Sequence, residues 1–157
     1  MHKLTNSGET LVSRTYLRLV SILDRTPNSL TQILLRWGLA GVFWTSARTK
    51  VEGVMTVSDG TKYLFAEEYR VPLLNPDLAA YAATYAEHAF ALSLFVGLAT
   101  RLSAVGVIGM TLVIQLFVYP DAFVGVHLGW FAMAVAILAW GPGAISVDHL
   151  LRQRFIR

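Results

Sequence analysis

The chain has 157 residues, of which 55% are hydrophobic and only 15% charged, with a formal net charge of +3. Average soluble proteins carry about 25% charged residues, so this composition excludes an ordinary water-soluble globule and points to a chain that faces lipid. The absence of cysteine excludes disulfides, thiolate metal sites and dithiol exchange, and the basic residues form no dense tract with interleaved aromatics of the kind that binds nucleic acid.

Residues 1–29 read as a tail holding an amphipathic surface helix over 10–25. Val12, Tyr16, Leu19 and Leu23 fall on one face, and Arg14, Arg18 and Arg25 gather on the other. Such a helix is expected to lie on the inner leaflet with its Arg face toward anionic lipid, a partner-binding or merely solvated helix being the plainer reading. Thr26-Pro27-Asn28-Ser29 ends it and starts the next helix.

Four apolar stretches follow, 30–47, 78–99, 102–119 and 122–140. Each is at or near the roughly 20 residues that cross a ~30 Å hydrocarbon layer as helix. The expected fold is an all-α integral membrane protein, a single domain over 1–157 built as a four-transmembrane-helix bundle. A signal peptide is the competing reading of the first stretch, but its preceding tail is long and Arg36 interrupts the apolar run.

Charge placement predicts the topology. Lys3, Arg14, Arg18, Arg25, Arg36, Arg101, Arg152, Arg154 and Arg157 fall on one side, against Arg48, Lys50, Lys62 and Arg70 on the other, where acidic residues dilute them. The positive-inside rule then puts both termini, including the 141–157 tail, in the cytoplasm and the 48–77 loop outside.

Within the outer loop, Ser58-Asp59-Gly60 supplies a cap and residues 61–70 a short helix, with Tyr63, Leu64 and Phe65 at headgroup level. Asn75-Pro76-Asp77 is a strong start for the second span. Gly97 and Thr100-Arg101 end that span, Tyr119-Pro120-Asp121 the third, and Gly141-Pro142-Gly143 the fourth. Ser146 caps a last short helix.

A charge within lipid is costly, so Glu87, near mid-membrane, is expected to face the helix interior. Tyr81, Thr84, Tyr85 and His88 continue a polar stripe around it. Thr111, Gln115 and Tyr119 recur at intervals of four on the third span, while His127 and Trp130 share a side of the fourth. Together they predict a polar pocket opening outward, formed by Arg48, Lys50, Tyr81, Thr84, Glu87, His88, Gln115, Tyr119, His127 and Trp130. Plainer readings stand beside it: interhelical hydrogen bonds for Thr111 and Gln115, and an interfacial belt for the aromatics. Arg36 is expected to snorkel to the cytoplasmic headgroups in preference to pairing with Glu87. Glu87, His88 and His127 are weak metal-ligand candidates, since they lack a motif spacing, and hydrogen-bonded core roles are preferred. The glycines, including the Gly125/Gly129 pair, predict close helix contacts.

From about residue 34 to 152 the chain resembles the DoxX family of small bacterial inner-membrane proteins. The resemblance rests on Arg36-Trp37-Gly38, Val42-Phe43-Trp44, Lys50, Glu87, the run Gly97 to Arg101, and Gly141-Pro142-Gly143-Ala144-Ile145-Ser146-Val147-Asp148. It implies four helices in the cytoplasmic membrane, a periplasmic 48–77 loop, and association with respiratory, sulfur, oxidative-stress or metal-stress systems, without an agreed catalytic residue set.

The leading expectation is a non-enzymatic accessory subunit of a redox or metal-stress system. Its contact surfaces would be the outer loop and the pocket, and its partners the bilayer, a membrane or periplasmic redox protein, or a second copy, with no nucleic acid. The second is a quinone-binding electron-transfer component or oxidoreductase subunit, in which His88, Gln115 or His127 would donate to the quinone head and Glu87 would manage protons. The third is a small-solute or metal transporter, ranked last because no inverted repeat is visible.

Overall fold

A computed structural model describes residues 11–24 and 27–155. Lys3, Arg25, Thr26 and Arg157, used above for topology and capping, lie outside the described residues.

Helix α1 (Leu11–Leu23) buries no residue and leaves Leu11, Val12, Tyr16, Leu19 and Leu23 exposed, an amphipathic helix at the place its periodicity predicts. Helix α2 (Asn28–Thr49) leads into a feature absent from the all-α expectation. Strands β1 (Val51–Glu52) and β2 (Thr56–Val57) pair antiparallel, Val51 opposite Val57 and Glu52 opposite Thr56. Two local causes make this hairpin. Gly53 takes φ +60, open to glycine at no steric cost, and Arg48 donates to the carbonyls of Gly53 (2.9 Å) and Val54 (2.6 Å).

The short loop helix, expected over 61–70, begins earlier. Helix α3 (Asp59–Tyr63) starts where the Ser58 hydroxyl accepts from the Thr61 amide, and it widens into a π-helical turn over Leu64–Tyr69 that ends at Arg70, φ +43. Helix α4 (Pro76–Val96) starts as its sequence dictates, with the Asn75 side chain accepting from the amides of Asp77 (3.0 Å) and Leu78 (3.3 Å).

Helix α5 (Thr100–Val113) runs on as a π-helical turn, Ile114–Val118. A 3-10 turn at Pro120–Ala122 and a second π-helical turn, Phe123–His127, deliver the chain into α6 (Leu128–Trp140). Helix α7 (Val147–Phe155) follows, its start marked by the Ser146 hydroxyl accepting from the His149 amide.

Helix α2 packs on α4 and α6, and α5 packs on the same two. Their shared core holds Leu39, Phe43, Leu94, Val107 and Ile137, all buried. The burial pattern inverts that of a soluble protein. Leu34, Leu92, Phe95, Leu102, Leu116 and Val124 are exposed, while Arg36, Thr84, Glu87 and His88 are buried. Two continuous helical stretches, Thr100–Val118 and Pro120–Trp140, are long and apolar enough to cross a membrane by length and composition alone. Helices α2 and α4 carry the charged groups Arg36 and Glu87 on their inner faces. Lipid provides no hydrophobic drive between helices, so close packing and interior polar contacts hold such an assembly together.

One set of contacts clasps the end where α2 and α5 begin and α4 and α6 finish. The Asp148 carboxylate accepts from the amides of Ala99 and Thr100, both at 2.8 Å, and the Asp148 amide donates to the Gly97 carbonyl at 2.9 Å. Gln32 donates to the Trp140 carbonyl at 3.1 Å. Arg36 corrects its expectation here. It is 1% exposed, neither snorkels nor meets Glu87, and donates to the Ile145 carbonyl at 2.7 Å. The reason lies at Gly97, which ends α4 at φ +74 and lacks a side chain where the guanidinium lies.

The expectation of close contacts at every glycine also needs correction. A side chain at Gly97 would meet Arg36 and Ser146, and one at Gly106 would meet the Phe90 ring. At Gly41, Gly109, Gly125 and Gly129 it would meet nothing within 4 Å.

Candidate functional site

A cavity of about 440 Å³ lies at the opposite end, bounded by α2, α4, the α5–α6 hairpin and the loop between α2 and α4. Most of its wall is apolar, including Val42, Phe43, Phe65, Ala83, Phe90, Met110 and Val113. Its polar groups gather in a few places.

The first is an ion-pair network. Lys50 Nζ lies 2.9 Å from Glu87 Oε2 and 3.1 Å from Oε1, and donates to Ser46 Oγ at 2.8 Å. The Ser46 hydroxyl in turn donates to Glu87 Oε1 at 3.2 Å. The two charged side chains are 14% and 4% exposed. Glu87 therefore faces inward, as its depth predicts, but its partner is the lysine at the end of α2. That partner is reached because Ser46 and Lys50 are four apart on one helical face and the lysine stem is long.

The second group is a tyrosine pair, one from the loop between α2 and α4 and one from the α5–α6 connection. The hydroxyls of Tyr69 and Tyr119 lie 3.4 Å apart, and Phe65 packs edge-on against Tyr69 with centroids at 5.0 Å. Burial first, and then the hydrogen bond with Tyr119, pushes the Tyr69 phenol well above the ordinary tyrosine range. The third is His127, 2% exposed, whose Nδ1 is 2.6 Å from Gln115 Oε1 while Trp130 tilts over the ring at 5.2 Å.

Of the ten residues predicted to form the pocket, Lys50, Glu87, Tyr119, His127 and Trp130 line this cavity. The other five are placed elsewhere. Arg48 staples the hairpin, and Tyr81 stacks on Tyr85 with centroids at 6.2 Å. Thr84 donates to the Ala80 carbonyl at 2.7 Å. His88 Nδ1 meets the Thr84 carbonyl at 2.8 Å, and its ring lies edge-on to Trp44 at 5.5 Å. Gln115 donates to the Pro120 carbonyl at 2.6 Å and, through His127, ties the two π-helical turns together.

The cause is angular. Ala83, Glu87 and Phe90 share the cavity face of α4 at i−4, i and i+3, whereas Thr84 and His88 sit one residue later, about 100° around the helix. In place of the predicted polar pocket there is a mostly apolar cavity whose polar side chains gather in three places. Among the described residues, no three His, Cys, Asp or Glu form a group able to hold an ion. Ser46 and Tyr69 are the site residues the sequence reading passed over. The i, i+4 relation of Ser46 to Lys50 was a visible signal for the first, whereas nothing in the sequence places Tyr69 against Tyr119.

An inverted burial pattern and two long apolar helical stretches are features of a helical membrane protein. The chain belongs to the DoxX family, whose sequence model matches residues 31–120, more than half of its length. The match takes in Lys50, Glu87 and Tyr119. Comparison with curated proteins and with solved structures gave no match.

Proposed function

We propose that this chain crosses the bacterial inner membrane four times, with the α7 clasp in the cytoplasm and residues 48–77 in the periplasm. It serves a respiratory, redox or metal-stress system as an accessory component whose cavity receives a quinone-class ligand. The amphipathic α1 lies on the inner leaflet. The exposed Tyr63 and the surface of α3 offer a docking face to a membrane or periplasmic redox protein.

One observation carries the ligand reading: the cavity is apolar over most of its wall, and its hydrogen-bonding groups concentrate at Lys50–Glu87 and Tyr69–Tyr119. A quinone needs this division, donors for its carbonyl oxygens and an apolar, aromatic enclosure for ring and tail. The lysine and carboxylate also provide a proton donor and acceptor beside the head, which takes up protons when reduced.

The test uses the full chain purified in mild detergent. Organic extracts are expected to contain quinone, and a short-chain ubiquinone analogue is expected to raise the thermal midpoint and quench tryptophan fluorescence through Trp130. Tyr119→Phe weakens that response. Purified protein that carries no quinone and shows no response to the analogue would retire the ligand reading. Photocrosslinking from position 63 that captures only lipid would retire the accessory role.

A further inference from the structure

A second cavity, of about 480 Å³, lies at the clasp end between the start of α5, the end of α6 and α7. Gln32, Arg101, Trp140, Asp148, His149 and Arg152 are among its lining residues. Its charges do not balance. Asp148 is the one carboxylate in the lining, and both of its oxygens are already held by the Ala99 and Thr100 amides. Arg101 makes a single long hydrogen bond, 3.5 Å, to the Ala139 carbonyl. Its guanidinium lies over Gly141, 3.2 Å from where a side chain would begin, so the missing Cβ leaves the room it occupies.

Arg152 is exposed, and the ion pairs among the described residues are Lys50–Glu87, Lys62–Asp59 and Arg70–Glu67, none of which involves either arginine. Two permanent cations and the His149 imidazole therefore border one recess. Beside it, Leu102 and Trp140 expose 73% and 66% of their surfaces. A cationic recess bordered by exposed apolar surface at the ends of membrane helices is the arrangement that an anionic headgroup with attached acyl chains complements.

We propose that this recess binds the phosphate of an anionic phospholipid, with the headgroup between Arg101 and Arg152 and the acyl chains along Leu102 and Trp140. Guanidinium groups suit the task, because their forked donors match phosphate oxygens. A zwitterionic lipid presents the same phosphate but adds a cation beside two arginines, so it binds more weakly. The bound lipid braces α7 against α5 and α6. The site shares no residue with the quinone-class cavity, so neither reading depends on the other.

The test is native mass spectrometry of the full chain in detergent. It is titrated with phosphatidylglycerol, with phosphatidylcholine of the same acyl chains, and with phosphatidylglycerol in the presence of millimolar inorganic phosphate. Phosphatidylglycerol is expected to be retained over phosphatidylcholine, and the Arg101→Gln/Arg152→Gln variant is expected to lose roughly tenfold of that preference. Arg154→Gln, at the same end but outside the recess, keeps it. Should the double variant fail to fold, as read from its thermal midpoint, Arg152→Gln alone on the exposed face of α7 carries the comparison. Equal retention of the two lipids, or an equal loss in Arg154→Gln, overturns the site. Displacement by inorganic phosphate alone would reassign the recess to a free anion and overturn the lipid.

Discussion

Lys50 and Glu87, 37 positions apart in the chain, meet at 2.9 Å and join the end of α2 to the middle of α4 inside a mostly apolar cavity. Each charge is tolerated there because of the other. Ser46 completes the arrangement by hydrogen-bonding to both. Breaking a buried pair leaves one uncompensated charge, which typically costs about 3–5 kcal/mol, whereas replacing both partners with apolar groups of similar volume is often neutral. Lys50→Met should therefore lower stability by about that amount, and Lys50→Met/Glu87→Leu should recover most of it. Thermal unfolding of the four cycle members in one detergent measures the coupling. A strictly additive cycle would show that the pair does not act as a unit.

Gly97 and Gly109 should respond oppositely to alanine. At Gly97 the backbone is left-handed and the Arg36 guanidinium and Ser146 occupy the space a methyl group would need. Strain and displaced packing together predict a loss of about 2–4 kcal/mol. At Gly109 nothing lies within 4 Å of the added carbon, so the change should stay within about 1 kcal/mol of wild type and favour the helix. The two single variants, compared by thermal midpoint, check this contrast.

Asp148 caps the first turn of α5 from a distant part of the chain, through two charge-assisted bonds of 2.8 Å. Asp148→Ala removes an N-terminal cap and the favourable meeting of a carboxylate with the positive end of the helix, about 1–2 kcal/mol in sum. Hydrogen exchange should show the Ala99 and Thr100 amides losing protection first. Unchanged protection at those two amides would mean that the clasp contributes nothing at the start of α5.

Tyr69 should ionise later than the exposed tyrosines. Burial and the Tyr119 hydroxyl favour its neutral form in the folded chain, so its folded pKa is raised above the unfolded value. The stability linked to this group is fully present below the unfolded tyrosine pKa of about 10, and it declines as pH rises from there through the folded pKa. Phenolate absorbance during alkaline titration should reveal a delayed component that Tyr69→Phe deletes. A titration curve identical in the two proteins would contradict the buried pairing.

The elements that the sequence announced well are those whose signals are local. The starts of α4 and α7 follow from Asn75-Pro76-Asp77 and from Ser146, because a side-chain acceptor two or three residues ahead decides whether free amides are satisfied. The hairpin at 51–57 was not legible, since it depends on Arg48 reaching two carbonyls across a glycine turn. The π-helical turns around Tyr119-Pro120 were equally hidden, and in them Gln115 and His127 became partners of each other.

For the site, residue type and depth marked Glu87 as an interior group, and that reading rests on the cost of a lone charge in lipid. Which cation neutralises it was beyond the sequence. Arg36 and Lys50 are both within reach of α4, and the choice turned on Gly97 opening a space that holds Arg36 at the far end while Lys50 folds back past Ser46. Composition and periodicity by themselves determined that the chain is helical and faces lipid, because those properties sum over many residues. Only the tertiary structure decided which five of ten polar candidates share a cavity, because a step of one residue turns a side chain by about 100° and assigns it to a different neighbour.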